Sequence, residues 1–308
     1  MKADLESAAE IIKKGGVGAF PTETVYGMGA HPFHSSSLDR IFVLKGRRKK
    51  APLTLHIGSL IDLYKFAQEP PKELNKIVVN FWPGPLAVIL PASPVVPPQA
   101  TSNKGTVSFR YPDESLFREF ARLAGVPIAA TSANRSGSLS AICPLDVEAE
   151  LGEEIDFLID GGVTKYKFES TIVDLSSKPF FIPREGVIKK EELEDKTGFQ
   201  FQLVGPQIKG LSLVLIEGSK SFFSQVASQL KLQDYESLLS FFPVESRHYL
   251  LEESIGENKL FELLSRLGKE GFMRLYVHCI WPKSSRLYQR LRVRAERIIW
   301  EKRKEMDK

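Results

Sequence analysis

The sequence predicts an α/β fold, with a mixed sheet and flanking helices in a first domain and a smaller α/β domain after it. Short apolar runs of strand length alternate with segments of helical period over residues 1–188. An almost wholly charged stretch, residues 189–196, interrupts this pattern, and a second strand–helix alternation begins near residue 211. Since 308 residues suit two domains, we predict domains at 1–188 and 211–308, joined by a charged linker over 189–210.

The elements of the first domain follow from periodicity and turn residues. Apolar residues at helical spacing predict a first helix, which Gly15-Gly16 ends. A strand at 17–20 and a polar, glycine-bearing loop at 21–29 follow, and Ser37 could cap the next helix. Further strands are predicted at 53–57, 86–90, 107–110, 128–131, 157–159 and 171–175, with helices near 59–67, 73–81 and 114–124.

The second domain shows the same alternation more weakly. Strands are predicted near 214–216 and 272–280, with a helix near 221–231 and a final helix from about residue 284. The proline-rich segment 91–98 is short and is typical of a loop.

Composition excludes several classes of protein. With 42 Lys and Arg against 38 Asp and Glu, the net charge of +4 is too small for a polycation, so any nucleic-acid contact must come from a local patch. The two cysteines have no zinc-site or disulfide spacing. We find no signal peptide and no apolar run of membrane-spanning length, so we expect a soluble, cytoplasmic protein. P-loop, complete dinucleotide-binding, zinc-protease and serine-hydrolase motifs are missing from the sequence.

Residues 20–29 form the first candidate site segment. Thr22 and Thr24 place hydroxyl groups beside Gly27 and Gly29, and glycines let a backbone approach a ligand closely. A plain strand–loop connection with two turn glycines would show the same pattern, because short Gly-x-Gly runs are weak evidence.

Residues 45–50 contain five cations in six positions at the predicted end of a helix. Lysine offers a point charge and arginine a bidentate fork, so the cluster suits a polyphosphate. Cations opposing the helix C-terminal dipole on a solvated surface are an equally good explanation. His56, just beyond, lies in an apolar strand, where a histidine is more often a hydrogen-bonded structural residue than a ligand.

Three later segments also place polar groups where strands end. Thr106–Arg110 alternates as a strand and ends in an arginine that needs an anionic partner, either a substrate or a structural carboxylate. Residues 129–140 run from a strand into small hydroxyl residues, which either expose N–H groups to an anion or form a surface turn. In residues 168–186, Ser170 and Arg184 adjoin strands and could be simple edge residues.

Taken together and in order, these segments resemble the YrdC/Sua5 family of threonylcarbamoyl-AMP synthases. The resemblance implies a YrdC-like twisted mixed sheet with flanking helices and a basic cavity, followed by a Rossmann-like C-terminal domain of the long Sua5 type. It implies synthesis of threonylcarbamoyl-AMP and pyrophosphate from L-threonine, bicarbonate and ATP, for modification of tRNA at adenosine 37. The matching motifs are Pro21-Thr22-Glu23-Thr24-Val25-Tyr26-Gly27, Lys45-x-Arg47, Pro52-Leu53-x-x-His56, Ser132-Ala133-Asn134-x-Ser136-Gly137, Glu169-Ser170-Thr171 and Arg184-x-Gly186.

The resemblance also assigns residues. It implies no general acid or base, and Mg²⁺ would enter on the ATP phosphates rather than on protein ligands. The product would pass to a separate threonylcarbamoyl transferase that acts on tRNA. The residues that would contact ATP are Lys45, Arg47, Ala51, Thr106, Ser132, Ser140 and Arg184. The residues that would contact threonine are Thr24, His56, Arg110, Ala130 and Ser170.

The sequence departs from the family pattern in several places. Arg48 stands where the family usually has proline, Ala51 replaces a frequent asparagine, and Ser140-Ala141-Ile142 replaces Ser-Pro-Thr. Residues 204–210 stand where the family carries a His-Tyr-x-Pro segment that covers the active site.

The alternative to the enzyme is a degraded family member that binds RNA. The final predicted helix is rich in Arg and Lys, which could track phosphates. The acids interleaved with them favour an ordinary solvated helix with ion pairs.

Overall fold

The chain divides into two compact units, residues 1–136 with 140–207, and residues 208–308 with 137–139. The structure, a computed structural model, describes residues 2–46, 52–101, 105–136, 138–204, 212–217, 223–224, 236–240, 248–250, 260–261, 263–264, 266–267, 274–279, 281 and 285–300.

The first unit contains a ten-stranded mixed sheet, which confirms the predicted α/β class. The strand order is β10-β9-β8-β4-β5-β3-β6-β2-β1-β7. Its strands are β1 (Val17–Phe20), β2 (Gly27–Ala30), β3 (Thr54–His56), β4 (Leu86–Pro91), β5 (Thr106–Arg110), β6 (Ile128–Ser132), β7 (Phe157–Leu158), β8 (Thr171–Asp174), β9 (Phe180–Arg184) and β10 (Phe201–Leu203).

Helices flank this sheet and mostly start and end as their sequence predicts. The first helix has the N-cap Asp4, whose carboxylate accepts from Ser7 N, and α6 ends at Gly125, which adopts a left-handed conformation. The helices are α1 (Leu5–Lys13), α2 (Ser35–Lys45), α3 (Leu60–Phe66), α4 (Leu74–Phe81), α5 (Pro98–Thr101), α6 (Ser115–Ala124), α7 (Pro144–Glu150) and α8 (Lys190–Thr197).

The two faces of the sheet have different environments because side chains alternate along each strand. One face, including Val107 and Phe109 of β5, packs in the large apolar core of the unit. A smaller core covers part of the other face, where Phe20 and Ile128 pack with α1 and α6. The centre of that second face carries polar side chains, and these include His56, Thr106 and Arg110.

Residues 27–29 were predicted as part of a loop, and the structure shows that this is wrong, because they belong to β2. The two glycines stand in a strand because a side chain has no room there. A Cβ at Gly27 would lie 2.6 Å from the Phe20 ring, and one at Gly29 would lie 2.6 Å from Ile128 Cγ2. Close packing, rather than a turn, explains these glycines.

Ser37 does not cap a helix. The helix α2 begins two residues earlier, with His34 at its N-cap. The Ser37 hydroxyl instead donates to Gly15 O at 2.5 Å and ties α2 to the turn after α1.

Part of the segment predicted as a charged linker folds with the first unit. Residues 190–203 contain α8 and β10, and β10 pairs in parallel with β9. Leu193 and Phe201 are buried in the main core. Residues 205–210, which include most of the segment standing in place of the family's His-Tyr-x-Pro, lie outside the described residues.

The second unit contains a five-stranded sheet whose described pairings are all parallel, as a Rossmann-like fold requires. The strand order is β13-β12-β14-β11-β15. Its elements are β11 (Ser212–Glu217), β12 (Glu236–Ser240), β13 (His248–Leu250), β14 (Arg274–Cys279), α9 (Arg286–Arg294) and β15 (Ala295–Trp300).

The final helix is shorter than predicted, because α9 ends at Arg294 and the chain continues as β15. Arg290 is fully buried, with its guanidinium 3.8 Å from the centre of the Phe261 ring. One of the cations expected on a solvated basic helix therefore belongs to the core of the unit.

No helix among the described residues combines the length and the apolar character needed to cross a membrane.

Candidate functional site

Three of the predicted site residues, His56, Thr106 and Arg110, lie on one face of the first sheet. Along β5, alternation places Val107 and Phe109 in the core and the other three residues on the opposite face. The β3–β5 register adds two residues of β3 to that face. We call this surface the polar face, and its members are Thr54, His56, Thr106, Ser108 and Arg110.

One cross-strand row of the sheet carries three of the predicted residues. His56 is paired with Arg110 across β3 and β5, and Arg110 is paired with Ala87 of β4. The row continues through Ile172 of β8 to Arg184 at the end of β9. With strands about 4.8 Å apart, the row from His56 to Arg184 is about 19 Å long, which is a suitable length for two substrates side by side.

Arg110 meets the loop between β1 and β2. Its Nη2 lies 2.9 Å from Glu23 Oε1 and donates to Thr22 Oγ1 at 3.4 Å. Thr22 Oγ1 donates to Val25 O at 2.6 Å, so the Thr24 hydroxyl, 2.9 Å away, must donate to Thr22. This leaves the lone pairs of the Thr24 hydroxyl as acceptors. The side chains of Thr22, Glu23, Thr24 and Arg110 are all buried.

The same loop is held in place from its other side. Tyr26 Oη donates to Gly162 O at 2.9 Å and accepts from Gly161 N at 3.0 Å. Tyr166 N donates to Glu23 O at 2.8 Å. These contacts fix the backbone that presents Thr24 and Glu23 to Arg110.

His56 is buried and uncharged. Its ring stands edge-on to Phe20 and Phe117, and burial together with the nearby Arg110 guanidinium lowers the pKa of His56 to about 3. Nδ1 lies 3.2 Å from Thr54 O, so in the neutral ring Nδ1 carries the proton and donates. Nε2 is then an acceptor, suited to a substrate hydroxyl or ammonium group.

Lys45, the last residue of α2, brings a buried positive charge to the end of β6. Its Nζ donates to Ser132 O at 2.9 Å, to Ser132 Oγ at 3.3 Å and to Asn134 Oδ1 at 2.9 Å. In return, Ser136 N donates to Lys45 O at 2.9 Å. These three oxygens fix the position of the ammonium group at the end of β6.

The loop after β6 is anchored to α7 and the turn that follows it. Arg135 N donates to Glu150 Oε2 at 3.2 Å, and the Arg135 guanidinium pairs with Glu154. The loop that carries Ser132 and Asn134 is thereby held at both ends.

Ser170 and Arg184 are in direct contact, although the resemblance assigns them to different substrates. Arg184 Nε donates to Ser170 O at 2.9 Å, and its Nη2 donates to Ser170 Oγ at 3.0 Å. Because Ser170 Oγ accepts from Arg184, its O–H is oriented away from the arginine. Thr171 fixes this junction, since its Oγ1 donates to Ile188 O at 2.6 Å and accepts from Gly186 N at 2.9 Å and Ile188 N at 3.0 Å.

Ser140 is linked to the same junction through the residue before Ser170. The Ser140 hydroxyl donates to Glu169 Oε1 at 2.7 Å. Ser140, Ser170 and Arg184 therefore form one connected group, beside the row that carries Arg110.

The remaining predicted residues are placed as follows. Ala130 lies between Thr54 and Gly29 in the sheet register. Thr106 lies at the opposite end of β5 from Arg110, about 13 Å away at ordinary strand rise. Arg47 and Ala51 lie outside the described residues.

Some residues that contact the predicted ones were not themselves predicted to bind a substrate, and Glu23, Asn134 and Glu169 are three of them. All three stand inside the quoted motifs, so the motifs contained the signal. Sequence alone could not tell which residue of each motif faces the site.

In the described part of the chain, no three His, Cys, Asp or Glu side chains cluster closely enough to hold a metal ion.

A sequence profile of the Sua5/YciO/YrdC family, described as "Telomere recombination", matches residues 10–186, which is more than half of the chain. The chain belongs to this family. The matched region covers nearly all of the predicted first domain, and it includes every residue of the polar face and of the Lys45 and Arg184 groups.

Relatives and solved structures agree with this membership. A threonylcarbamoyl-AMP synthase of Pyrococcus abyssi is 41% identical over 191 residues, which are 62% of this chain and 56% of that protein. One of Bacillus subtilis is 36% identical over 195 residues, 63% of this chain and 56% of that protein. The alignments with these curated relatives thus span just over half of their length. The crystal structure of P. abyssi Sua5 complexed with L-threonine matches this Sua5/YciO/YrdC chain with a TM-score of 0.66 and 28% identity, covering 96% of each chain.

Proposed function

We propose that this Sua5/YciO/YrdC protein is an L-threonylcarbamoyladenylate synthase. It would condense L-threonine with bicarbonate and use the resulting carbamate to displace pyrophosphate from ATP. The product, threonylcarbamoyl-AMP, would supply the t6A modification of tRNA at adenosine 37 through a separate threonylcarbamoyl transferase.

The observation that carries the proposal is that two chemically different groups of side chains flank the polar face. Arg110, Thr24 and His56 offer one cation and neutral acceptors, which suits a small zwitterion with a hydroxyl group. Lys45 and Ser132 offer a buried ammonium and a serine hydroxyl, which suits a polyphosphate. The relatives named threonylcarbamoyl-AMP synthase and the threonine complex of Sua5 support the same pair of substrates.

The chemistry fits this arrangement. Attack of a carbamate on the α-phosphate collects negative charge on the carbamate, the phosphate and the departing pyrophosphate. Lys45 and Arg184 are already held by hydrogen bonds, so they can stabilise that charge without reorganising. Binding both substrates along one row would lower the activation free energy further, because the reaction between them then becomes effectively unimolecular.

Further parts of the proposal concern metal, partner and place. Mg²⁺ would enter as MgATP, carried by the phosphates. The C-terminal stretch of the sequence is rich in Lys and Arg, and we propose that weak RNA contact, where it occurs, involves these cations. Because ATP is a substrate, we propose a cytoplasmic location.

The decisive experiment is pyrophosphate release by the purified full chain with MgATP. Release is expected only when L-threonine and bicarbonate are both present, and the nucleotide product should be threonylcarbamoyl-AMP. Pyrophosphate release that ignores threonine, or no release under any combination, contradicts the proposal. A degraded RNA-binding member would instead show RNA affinity that falls steeply with salt and no release.

A further inference from the structure

The strongest unexplained feature of the site is the pairing of Glu23 with Arg110. Glu23 is 2% exposed and Arg110 is 4% exposed. Their charged groups are 2.9 Å apart at Glu23 Oε1 and Arg110 Nη2. Among the described residues, however, neither Glu23 oxygen accepts a well-aligned hydrogen bond, and Arg110 Nε donates none.

Such a pair is an expensive way to build a core. Burying two charges is compensated only when good hydrogen bonds satisfy the remaining donors and acceptors. Here the two charges are in contact, but both carboxylate oxygens of Glu23 and Nε of Arg110 lack a well-aligned hydrogen-bond partner among the described residues. At a proposed ligand site, buried polar atoms without partners indicate that the ligand supplies the missing hydrogen bonds.

An α-amino acid carries the matching charges. Its carboxylate and its ammonium are attached to the same carbon, so it presents an anion and a cation side by side. Arg110 and Glu23 also present a cation and an anion side by side, so that each can face the oppositely charged group of the amino acid. The carboxylate would take the guanidinium, and the ammonium would take the carboxylate of Glu23 and the acceptor oxygen of Thr24, two residues of the same rigid loop.

We infer that Glu23 is a substrate-binding residue that accepts a hydrogen bond from the α-ammonium group of threonine. Carboxylation joins the nitrogen to the bicarbonate carbon; the bicarbonate hydroxyl leaves as water with one ammonium proton, and a second proton is released to solvent. The carbamate nitrogen keeps one N–H, and Glu23 remains its acceptor. The residue thereby orients the nucleophile toward the phosphate. This inference rests on the proposed function, since it concerns the amino-acid half of that site.

The alternative is that Glu23 only neutralises Arg110. The two roles differ in what they predict for a ligand that has a carboxylate but no ammonium. Threonine without its amino group is (R)-3-hydroxybutyrate, which keeps the carboxylate and the hydroxyl. A counter-ion role affects both ligands equally, because both bind Arg110. An ammonium-binding role affects threonine alone.

The test is calorimetric binding of L-threonine and (R)-3-hydroxybutyrate to the full chain and to Glu23→Gln. We expect Glu23→Gln to weaken threonine binding by about tenfold or more, the usual effect of losing a charged hydrogen bond. Hydroxybutyrate binding should stay the same or become tighter. Glu119→Gln, which removes an exposed carboxylate paired with Arg122, is the matched control and should change neither ligand.

Each other outcome is informative. Equal weakening of both ligands overturns the inference and leaves the proposed function standing. A wild-type chain that binds no threonine overturns both. If Glu23→Gln does not fold, as judged by its thermal transition, Glu23→Asp serves instead, because it keeps the charge but withdraws it by one methylene. That variant should also weaken threonine selectively, and equal affinity for threonine in Glu23→Asp and wild type overturns the inference.

Discussion

At the scale of single residues, the site contains two buried cations whose positions are fixed by hydrogen bonds and an ion pair. Lys45 and Arg110 are both nearly inaccessible, yet they belong to different groups on the polar side of the sheet. Since each faces a different proposed substrate, their removal should have separable effects.

Arg110→Ala should raise the KM for threonine by about tenfold or more and change the KM for ATP much less, while Lys45→Ala should do the reverse. Steady-state pyrophosphate release with one substrate varied at a time measures both. Because Arg110→Ala leaves Glu23 buried without its cation, its thermal transition must be recorded too, and Arg110→Lys provides a charged comparison. Identical kinetic profiles for Arg110→Ala and Lys45→Ala would remove the proposed division of the site.

His56 makes the stability of the first unit depend on pH. Burial, with help from Arg110, lowers its pKa to about 3 from the ordinary 6.5. Between these values the unfolded chain binds a proton that the folded chain does not. The contribution of neutral His56 to the free energy of unfolding is therefore fully present above pH 6.5. It is lost as the pH falls toward 3, and the free energy of unfolding decreases by up to about 1.4 kcal/mol per pH unit.

Denaturant unfolding at pH 7 and pH 5 measures this effect. His56→Gln, which has no ionisable ring, should lose less free energy of unfolding over that interval than wild type does. The change with pH is the readout, so a general destabilisation by the variant does not obscure it. Equal pH dependence in the two proteins would mean that His56 titrates normally in the folded chain.

At the scale of elements, the junction of β8 with the segment after β9 is fastened by one hydroxyl group. Thr171 Oγ1 bonds to Ile188 O, Ile188 N and Gly186 N, all three in a buried setting. The close approach of this segment to the start of β8 also requires Gly186, where a Cβ would lie 2.2 Å from Glu169 O.

Thr171→Val should destabilise the first unit by about 3 kcal/mol or more, because it leaves buried backbone groups without partners while keeping the volume. Thr171→Ser keeps the hydroxyl and should cost much less. Urea unfolding of the two variants gives the comparison, and threonine KM should rise in Thr171→Val as Ser170 shifts. A valine variant as stable as the serine variant contradicts this account.

The elements also show what the sequence could and could not reveal. Strands β4, β5 and β6 were predicted to within one residue at each end, because alternation and flanking polar residues define them. Strand β2 was missed because Gly27 and Gly29 resemble turn residues. Only the positions of the Phe20 ring and Ile128 explain why side chains are excluded there.

The site was predictable as a set of motifs but not as a set of contacts. Arg110 needed an anionic partner on sequence grounds, and Glu23 is that partner, 87 positions away. Its charge made Glu23 a possible partner, but nothing in the sequence distinguishes it from the other acidic residues of the chain as the one that reaches Arg110. Likewise, Arg290 resembles a solvated cation in sequence and is buried against Phe261 in the fold.

At the scale of the whole molecule, the folded first unit extends beyond the boundary drawn from charge. Leu193 and Phe201, beyond residue 188, are buried in its core, and β10 completes one edge of its sheet. Charged composition marked this segment as a linker because its apolar residues, among them Leu193 and Phe201, are few and widely spaced.

A fragment of residues 1–207 should therefore be more stable than one of residues 1–188. Loss of two buried apolar side chains alone costs about 1.5–3 kcal/mol each, and β9 would become an exposed edge. Denaturant midpoints of the two fragments test this, with the full chain as reference. Equal midpoints would show that α8 and β10 contribute nothing to the first unit.

Successive side chains of β5 point to opposite faces of the sheet. Val107 and Phe109 belong to the apolar interior, and their immediate neighbours Ser108 and Arg110 belong to the polar face. Losing a single residue here would exchange the two sets, sending the guanidinium inward and the phenyl ring outward. The same register of this strand therefore determines both the packing of the core and the position of the binding residues. A series of one-residue deletions across β5 should yield no variant that folds normally but fails to bind.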